Sequence, residues 1–291
     1  MIPIDGLVIG GMQDYDLFRE DTEGQAGVAF ARVPGGMRDG RSAGSAGETP
    51  VASARAVFEA YRPRRVLFLS PYRGMAADVE RLTASGAEVR TAGPLPGFSP
   101  RRIHPPIVDM QHADRGFTAM LEMSRDADFG EPVYLRVISS PDGGRWSKWW
   151  CAFRQCRMAG ALLGAPLRRI YVASAGGADR LHVSITLKTE RDSTGHLLVA
   201  SRGSGLRDDV FFLGTGGTLA GDALLNRPGV YDGSNYRLLP DPALRRLADL
   251  WSADAVAELN GAEFRFYYSL LRAIGRASRS GKGICLDYSG V

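Results

Sequence analysis

Cysteine is scarce in this chain. Its 291 residues include three cysteines, Cys151, Cys156 and Cys285, and none of them belongs to a CxxC pair. A disulfide framework uses an even and usually denser set of cysteines, and a structural zinc site uses closely spaced ligand pairs. The sequence therefore argues against both kinds of protein, and we interpret the three residues as buried free thiols that bind no metal.

Long apolar runs are also missing. No stretch reaches the roughly 20 apolar residues that a membrane-spanning helix needs, and Met1–Gly11 has no basic start before an apolar segment, as a signal peptide would. Hydrophobic residues make up 44% of the chain and charged residues 23%, which is typical of globular domains. We expect a soluble, cytoplasmic protein with no membrane partner.

Lysine is rare as well. Only Lys148, Lys188 and Lys282 among the 36 basic residues are lysines, and the rest are arginines. The arginine guanidinium forms bidentate hydrogen bonds with phosphates and stacks on bases, which makes RNA a candidate partner. A GC-rich genome produces the same excess of arginine, and we give this explanation the larger weight. The net charge of +4 does not by itself indicate nucleic-acid binding.

Strands and helices alternate through the middle of the chain. Helices are predicted at Met75–Ser85, Gly116–Arg125 and Arg145–Leu163. The strands are predicted at Arg64–Ser70, Ala87–Gly93, Ile107–Met110, Pro132–Ser140, Arg168–Ser174, Leu181–Lys188 and His196–Gly203. This order predicts an α/β fold, namely a Rossmann-like, mostly parallel sheet with helices on both faces and an antiparallel strand pair at its C-terminal end.

The sequence divides into three predicted segments. Residues 1–49 are interpreted as a glycine-rich N-terminal arm, residues 50–205 as the Rossmann-like domain, and residues 206–291 as a C-terminal extension. A threonine cap and a proline predict a helix from Thr49-Pro50 to Ala60. The extension is predicted to contain a strand, a glycine turn and a short helix over Asp208–Leu225, then helices at Pro242–Leu259 and Ala262–Ser278.

Residues 64–188 follow the element order of a known family. Two strand–helix–strand units, separated by the Ile107–Met110 strand and ending in a strand pair, resemble Rossmann-like S-adenosylmethionine-dependent methyltransferases. The subset that they resemble best acts on RNA riboses and includes viral cap-type enzymes. The resemblance implies that S-adenosylmethionine binds at the carboxyl ends of the strands, on Ser70, Gly74 and Asp109.

The same resemblance implies the catalytic residues. Asp109 stands where this family has an aspartate, and Arg136 stands where it has a central lysine. Arginine cannot act as a general base because its pKa is too high, so Arg136 would orient the substrate. His112 is the third catalytic candidate. With Asp109 and Asp114 it is close enough in sequence for a small acid/base or metal cluster, although histidines near acids are more often surface or capping residues.

Two departures keep a second function open. The loop after the first strand offers only Gly74, and the second strand ends in Thr91 to Gly93 without an acid. The alternative is a non-enzymatic structural or assembly protein, of a virus or an RNA–protein particle, that keeps the scaffold without the cofactor. Such a protein would form a homo-oligomer or bind an assembly partner, and a viral one would be virion-associated.

One glycine-rich string permits three interpretations. Leu213–Gly221 resembles the threonine signature of bacterial-type asparaginases, and on that reading Thr215 would be the nucleophile. It also resembles a nucleotide-binding glycine turn between a strand and a helix. The third interpretation, a tight turn without a chemical role, is favoured because glycine is so permissive.

Overall fold

The chain folds into two compact units, which we describe from a computed structural model. The first comprises Met1–Asp109, Asp142–Trp150 and Arg246–Leu259, and the second comprises Met110–Pro141, Cys151–Arg245 and Asn260–Val291. The structure describes residues 6–10, 28–32, 58, 62–72, 74–95, 105–108, 115–141, 145–176, 182–200, 209–222, 227–231, 236–238, 251, 256–257 and 261–287.

The first unit is built on a six-stranded sheet. Its strands are β1 (Gly6–Gly10), β2 (Val28–Arg32), β3 (Arg65–Phe68), β4 (Glu88–Thr91), β5 (Ile107–Val108) and, from much later in the chain, β14 (Val256–Ala257). They lie in the order β2-β1-β3-β4-β5-β14. All neighbours pair in parallel except β14, which is antiparallel to β5.

Buried apolar runs explain why these strands form. Leu7, Val8, Val66, Leu67 and Phe68 are fully buried in β1 and β3, as expected for parallel strands that are covered on both faces. Helix α1 (Met75–Ala84) connects β3 to β4 and buries one face through Met75, Val79 and Leu82.

The second unit contains a nine-stranded sheet. Its strands are β6 (Pro132–Ser139), β7 (Leu167–Ala175), β8 (His182–Thr189), β9 (Thr194–Val199), β10 (Asp209–Gly214), β11 (Thr218–Asp222), β12 (Arg227–Tyr231), β13 (Tyr236–Leu238) and β15 (Ile284–Asp287). Their order is β13-β12-β11-β10-β6-β9-β8-β7-β15. Only the β6–β9 pair is parallel, and the remaining neighbours are antiparallel.

Three more helices complete the described elements, namely α2 (Arg115–Met123), α3 (Arg145–Leu163) and α4 (Gly261–Ser280). In the second unit, Gln155 of α3 donates a hydrogen bond to the Ser139 hydroxyl at 2.7 Å, and Phe153 packs on Tyr267 of α4. Helices therefore cover one face of the nine-stranded sheet. Among the described helices, none has both the length and the apolar composition needed to cross a bilayer.

The predicted fold class is confirmed: the protein is α/β with a Rossmann-like, mostly parallel sheet. The two compact units have other bounds than the three predicted segments, and that division into segments stays a prediction. Strands β1 and β2 lie within residues 1–49 and form one side of the first sheet, with β2 at its edge, and residues 50–205 are divided between the two units. Short strands bounded by glycine look like loops in the sequence. Their stability comes from pairing with distant strands, which the local sequence does not show.

The strand–helix–strand unit around α3 was only partly predicted. Strands β6 and β7 do run in the same direction, and β8 turns back antiparallel to β7 as expected. However, β9 and β8 lie between β6 and β7, so this unit builds a separate sheet instead of extending the first one. The local sequence predicts that a helix connects two strands of the same direction. It does not predict which other strands lie between those two in the sheet.

The glycine string Leu213–Gly221 forms a hairpin, so the predicted short helix after it is wrong. Leu213 of β10 pairs with Thr218 of β11, and the Gly214 amide donates to the Gly217 carbonyl at 2.8 Å. Residues on both sides of the turn belong to strands because each finds a neighbour in the sheet, which outweighs the local strand–turn–helix pattern.

The C-terminal predictions had mixed outcomes. Helix α4 confirms the prediction over Ala262–Ser278, whereas Val256–Ala257 is a strand and not part of a helix. Cys151 and Cys156 are buried, but Cys285 is exposed. The rest of the predicted helix at Pro242–Leu259, apart from Trp251, and the helix from Thr49 to Ala60, apart from Phe58, lie outside the described residues.

Replacing Gly214 should test the packing of the hairpin. A Cβ at Gly214 would collide with the backbone carbonyl of Phe129, so Gly214→Ala should cost about 1–3 kcal/mol of unfolding free energy. Gly160→Ala is the control, because a Cβ there meets nothing within 4 Å in helix α3 and should add about 0.5–1 kcal/mol. Urea unfolding measures both, and equal effects would contradict this account.

Candidate functional site

The strand order of the first unit identifies where a ligand would bind. Strand β1 lies between β2 and β3, so the chain leaves β1 toward one side of the sheet and later continues on the other side. In open parallel sheets the crevice outside the carboxyl ends of the strands, at such a reversal, is the usual ligand site. The carboxyl edge of the first sheet, beside β1 and β3, is therefore the candidate site.

Glycine and arginine occupy the carboxyl ends of β1 and β2. Gly10 ends β1 and pairs in register with Arg32, which ends β2. Gly11 follows directly in the sequence, and the next glycine is Gly24. A glycine at the end of a strand allows a ligand to approach the backbone closely, and the residue that ends the neighbouring strand is an arginine, which is always charged.

The loop after β3 is a tight connection to α1. The Leu69 amide donates to the Ile9 carbonyl at 2.7 Å, which extends the β1–β3 pairing to the edge of the sheet. Ser70 is partly exposed and is hydrogen-bonded or in another polar contact. Gly74 caps α1 with a φ of 95°. A Cβ at Gly74 would meet no atom within 4 Å, so lack of space does not explain this glycine. Its left-handed backbone does, because other residues rarely adopt a positive φ.

Tyr72 lies in the same loop, and the pKa of its hydroxyl is raised. Its hydroxyl donates to Oδ2 of Asp78 at 2.6 Å, and Asp78 also pairs with Arg81 at 3.3 Å. Burial is the largest cause that raises the pKa of Tyr72, followed by the hydrogen bond and the negative charge of Asp78. Tyr72 is therefore a hydrogen-bonding group at this edge and does not act as a base near neutral pH.

The end of β4 is closed by helix α3. The Trp150 indole donates to the Pro94 carbonyl at 2.6 Å, and its ring lies so close to Gly93 that a Cβ there would come within 2.7 Å. The Thr91 side chain is fully buried, and its hydroxyl has no hydrogen-bond partner among the described residues. Lys148 of α3 is 1% exposed and keeps at least one interaction partner, as a buried cation requires.

The residues predicted from sequence are only partly assembled. Ser70 and Gly74 lie together at the carboxyl edge of the first sheet. Arg136 belongs to β6 of the second unit, where it pairs with Asp209 at 3.5 Å and lies 5.7 Å from the Phe211 ring centre. Asp109 and His112 lie outside the described residues, although Asp109 directly follows β5. Their involvement in a site stays a prediction.

Thr215 has a structural role in the hairpin turn. Its hydroxyl accepts a hydrogen bond from the Glu131 amide at 3.0 Å, and its own amide donates to the Glu131 carbonyl at 3.0 Å. The Gly216 amide donates to the Phe129 carbonyl at 2.9 Å. These bonds tie the turn to the start of β6, which supports the plain-turn interpretation over a nucleophile or a glycine turn leading into a helix.

Sequence reasoning missed Gly10, Gly11, Arg32 and the docking of Trp150. The first three were placed in a flexible arm, because β1 and β2 have only five residues each. A signal was available: an apolar strand followed by a glycine pair, then a second strand ending in a charged residue about 20 residues later, which is the spacing of a dinucleotide-binding unit. Nothing in the local sequence pairs Trp150 with Pro94.

Comparison with known proteins gives the fold a wider context. The sequence matches no protein-family model and no curated protein. Among solved structures, an aldose-aldose oxidoreductase from Caulobacter crescentus, complexed with glycerol, is similar with a TM-score of 0.64 and 13% identity, over 97% of this chain and 99% of that one.

Two further similar structures are of oxidoreductases that bind NAD. An NAD-binding oxidoreductase from Klebsiella pneumoniae has a TM-score of 0.58 and 13% identity, over 98% of this chain and 99% of that one. An oxidoreductase from Agrobacterium radiobacter, in complex with NAD+, L-tartaric acid and magnesium, has a TM-score of 0.56 and 12% identity, over 97% and 98%. These likenesses establish a shared fold along almost the whole chain, including both units.

The methyltransferase resemblance is therefore wrong, and so are its consequences. The similar structures are of oxidoreductases, and the similarity covers almost their whole length. This finding overturns S-adenosylmethionine as the cofactor and RNA methylation as the reaction. It also overturns the alternative of a viral or particle assembly role. The error has a physical cause. Strand–helix–strand order is common to all doubly wound sheets, and β6 to β8, which completed the resemblance, belong to a different sheet.

Removing the Tyr72 hydroxyl should reveal its raised pKa. Ordinary tyrosines ionise near pH 10, so Tyr72→Phe should lose none of the phenolate absorbance that the native protein develops up to about pH 11. Because only unfolded chains ionise Tyr72 in this range, the unfolding free energy of the wild type should fall more steeply above about pH 10 than that of the variant. A variant that loses one tyrosine titrating near pH 10 would contradict the buried hydrogen bond.

Proposed function

We propose that the protein is an oxidoreductase that uses a nicotinamide dinucleotide, bound at the carboxyl edge of the first sheet. The observation that carries this proposal is the position of β1 at the reversal of strand order, with Gly10 at its end and Arg32 in register beside it. The full-length likeness to NAD-binding oxidoreductases supports it. The nicotinamide ring, when bound, accepts or donates a hydride.

The residues at this edge fit such a cofactor in several respects. Gly10 and Gly11 leave room for the pyrophosphate beside the backbone. Arg32 occupies the position where dinucleotide-binding units select the group on the adenosine ribose. Ser70, which is partly exposed, supplies a polar group just beyond the end of β3. Counted from Gly10, the second and third glycines of the usual G-x-G-x-x-G fingerprint are replaced by Met12 and Tyr15, and Gly11 occupies a variable position.

Arginine at the end of β2 favours the phosphorylated form of the cofactor. An acidic residue there accepts hydrogen bonds from the ribose hydroxyls of NAD, whereas an arginine pairs with the 2′-phosphate of NADP. No acid lies between Ala29 and Gly35 of this chain, so Arg32 is the only charged side chain at the end of β2. NADP(H) is therefore the preferred cofactor in this proposal.

Hydride removal from an alcohol also requires a group that takes the hydroxyl proton. Asp109 follows β5 directly and His112 comes three residues later, so both follow a strand that ends at this edge. They supply the proton transfer in our proposal, and Tyr72 and Ser70 contribute hydrogen bonds. The substrate class is a sugar or polyol, by analogy with the aldose-aldose oxidoreductase, and a cytoplasmic location fits a protein that draws on free nicotinamide cofactor.

Reversing the charge of Arg32 should reverse the cofactor preference. Titration calorimetry of the wild type should show tighter binding of NADPH than of NADH. Arg32→Asp should weaken NADPH binding by about 10- to 100-fold, because a charge-assisted hydrogen bond to phosphate is worth roughly 1.5–3 kcal/mol.

The matched control for this experiment is Arg191→Asp. Arg191 is an exposed arginine in the second unit, at the turn between β8 and β9, so its replacement removes the same charge without touching the carboxyl edge. The affinity for NADPH should not change in this variant. A wild type that binds neither cofactor would overturn the proposed function.

His112→Ala should separate catalysis from binding. If His112 takes the proton, its loss should lower kcat by about 100-fold or more and leave NADPH affinity unchanged. The assay follows reduced nicotinamide while a panel of aldoses and polyols is offered with either cofactor. His104→Ala is the control, since His104 precedes β5 instead of following it. Equal losses in both variants would contradict a specific role for His112.

A further inference from the structure

The arginines of helix α4 lie in a single row. Arg265, Arg272, Arg276 and Arg279 are all exposed. With about 100° of rotation and about 1.5 Å of rise per residue, their positions fall within roughly 60° around the helix axis and span about 21 Å along it. We call these four side chains the arginine row. Lys282 follows the end of the helix and is also exposed.

The opposite side of α4 attaches the helix to the second unit. The side chains that face inward are buried, and they are Tyr267, Leu270, Leu271, Ala273, Ile274 and Ala277. The ring of Tyr267 packs on Phe153 of α3, with ring centres 4.5 Å apart, and the Ser174 hydroxyl of β7 donates to the Ile274 carbonyl at 3.4 Å. The helix cannot rotate about its axis without breaking these contacts, so the arginine row stays on the outside.

The charge of the arginine row is not neutralised by nearby acids. Residues 264–286 contain no aspartate or glutamate. Within the part of the chain that the structure describes, no arginine of the row forms an ion pair. Exposed arginines on other elements do, since Arg81 pairs with Asp78 at 3.3 Å and Arg169 pairs with Asp287 at 3.5 Å. The row is therefore a local surplus of positive charge.

An arginine-rich genome does not explain this surplus. Codon usage accounts for arginine in place of lysine, but not for the lack of acids beside the row. The chain has 36 basic and 32 acidic residues, and without the row and Lys282 it would have 31 basic and 32 acidic residues. Like charges three or four residues apart on a helix also destabilise it, as between Arg272 and Arg276. The row therefore has a cost that a partner of opposite charge would remove.

We propose that the arginine row binds the phosphate backbone of double-stranded DNA without reading its sequence. The proposal does not depend on cofactor binding. A DNA duplex carries one negative charge per about 1.7 Å of its axis, so a length of about 21 Å presents roughly 12 phosphates to the row. Guanidinium groups form bidentate hydrogen bonds with phosphate oxygens, and such contacts position a protein on DNA without specifying a sequence.

The composition of the row favours a duplex over a single strand. Proteins that bind single strands stack the bases on exposed aromatic rings. Tyr268 lies beside the row, but the Arg272 guanidinium lies over its ring, 5.6 Å from the ring centre. Recognition of double-stranded RNA relies partly on 2′-hydroxyl contacts. The row presents guanidinium groups, which suit phosphates best, so DNA is the occupant that we propose.

Two other anionic partners fit the row less well. A helix that binds a membrane surface inserts apolar side chains next to its cations, whereas the apolar side of α4 is buried against its own unit. An acidic protein would have to place single carboxylates opposite single arginines. The arginines of the row are seven, four and three residues apart. This uneven spacing suits the continuous charge of a nucleic acid backbone.

Fluorescence anisotropy with a labelled duplex of about 20 base pairs tests the proposal on the full chain. The wild type should bind at about 50 mM salt, and the logarithm of its binding constant should fall with the logarithm of salt concentration with a slope of about −4. Arg272→Gln/Arg276→Gln removes two phosphate contacts. It should reduce the slope by about 2 and weaken binding at about 50 mM salt by about tenfold or more.

Two matched variants separate the row from charge in general. Arg64→Gln/Arg125→Gln removes the same charge from exposed arginines on other parts of the chain and should leave the affinity for DNA unchanged within about twofold. Arg272→Lys/Arg276→Lys keeps the charge and should keep the slope of the wild type. If Arg272→Gln/Arg276→Gln does not fold, as judged by circular dichroism, Arg265→Gln/Arg279→Gln replaces it with the same expected result.

Three outcomes with DNA would overturn the proposal. These are a wild type that does not bind the duplex, a slope that the glutamine variants leave unchanged, and an equal loss of affinity in Arg64→Gln/Arg125→Gln. Duplex RNA, polyglutamate and vesicles of phosphatidylglycerol are titrated in parallel. Tighter binding to one of these probes than to DNA, lost in Arg272→Gln/Arg276→Gln, would assign the arginine row to that partner and would also overturn the proposal.

Discussion

The pairing of β1 with both β2 and β3 is the constraint on which the first unit depends. Five consecutive buried residues, with glycine at each end, leave β1 no stable place except the interior of a sheet. Once it lies there, the chain must proceed to one side for β2 and return to the other side for β3. The connections that follow β1 and β3 consequently run to opposite sides of the sheet, and this divergence creates room for a ligand at the carboxyl edge.

The elements with strong local patterns could be predicted from sequence. Helix α1 has its apolar residues on one face and a glycine at each end, and β6 and β8 alternate buried and exposed side chains, so their positions follow from the chain itself. Strands β14 and β15 could not be predicted, since two to four residues carry too little pattern. The partners of β9 were equally hidden, because strand order depends on distant pairing.

The candidate site was harder to predict than the fold. Ser70 and Gly74 were predicted as binding residues because the loop after a buried strand is where α/β proteins bind ligands, and their binding role stays a prediction. Their chemistry was misassigned, since the order of elements says where a ligand lies and not which one it is. Gly10 and Arg32 were missed because glycine-rich sequence resembles a loop until a neighbouring strand is known. The raised pKa of Tyr72 depends on burial, which no short motif encodes.

The origin of β14 has a consequence for how the protein is made. Its two residues come from Val256–Ala257 and pair with β5 at Val108 and Ile107, so the first unit borrows its edge strand from near the far end of the chain. A ribosome has therefore released most of the polypeptide before that edge can close. Until then, the amides and carbonyls on the outer side of β5 lack their partner strand. The nascent chain therefore has to avoid aggregation through this exposed edge.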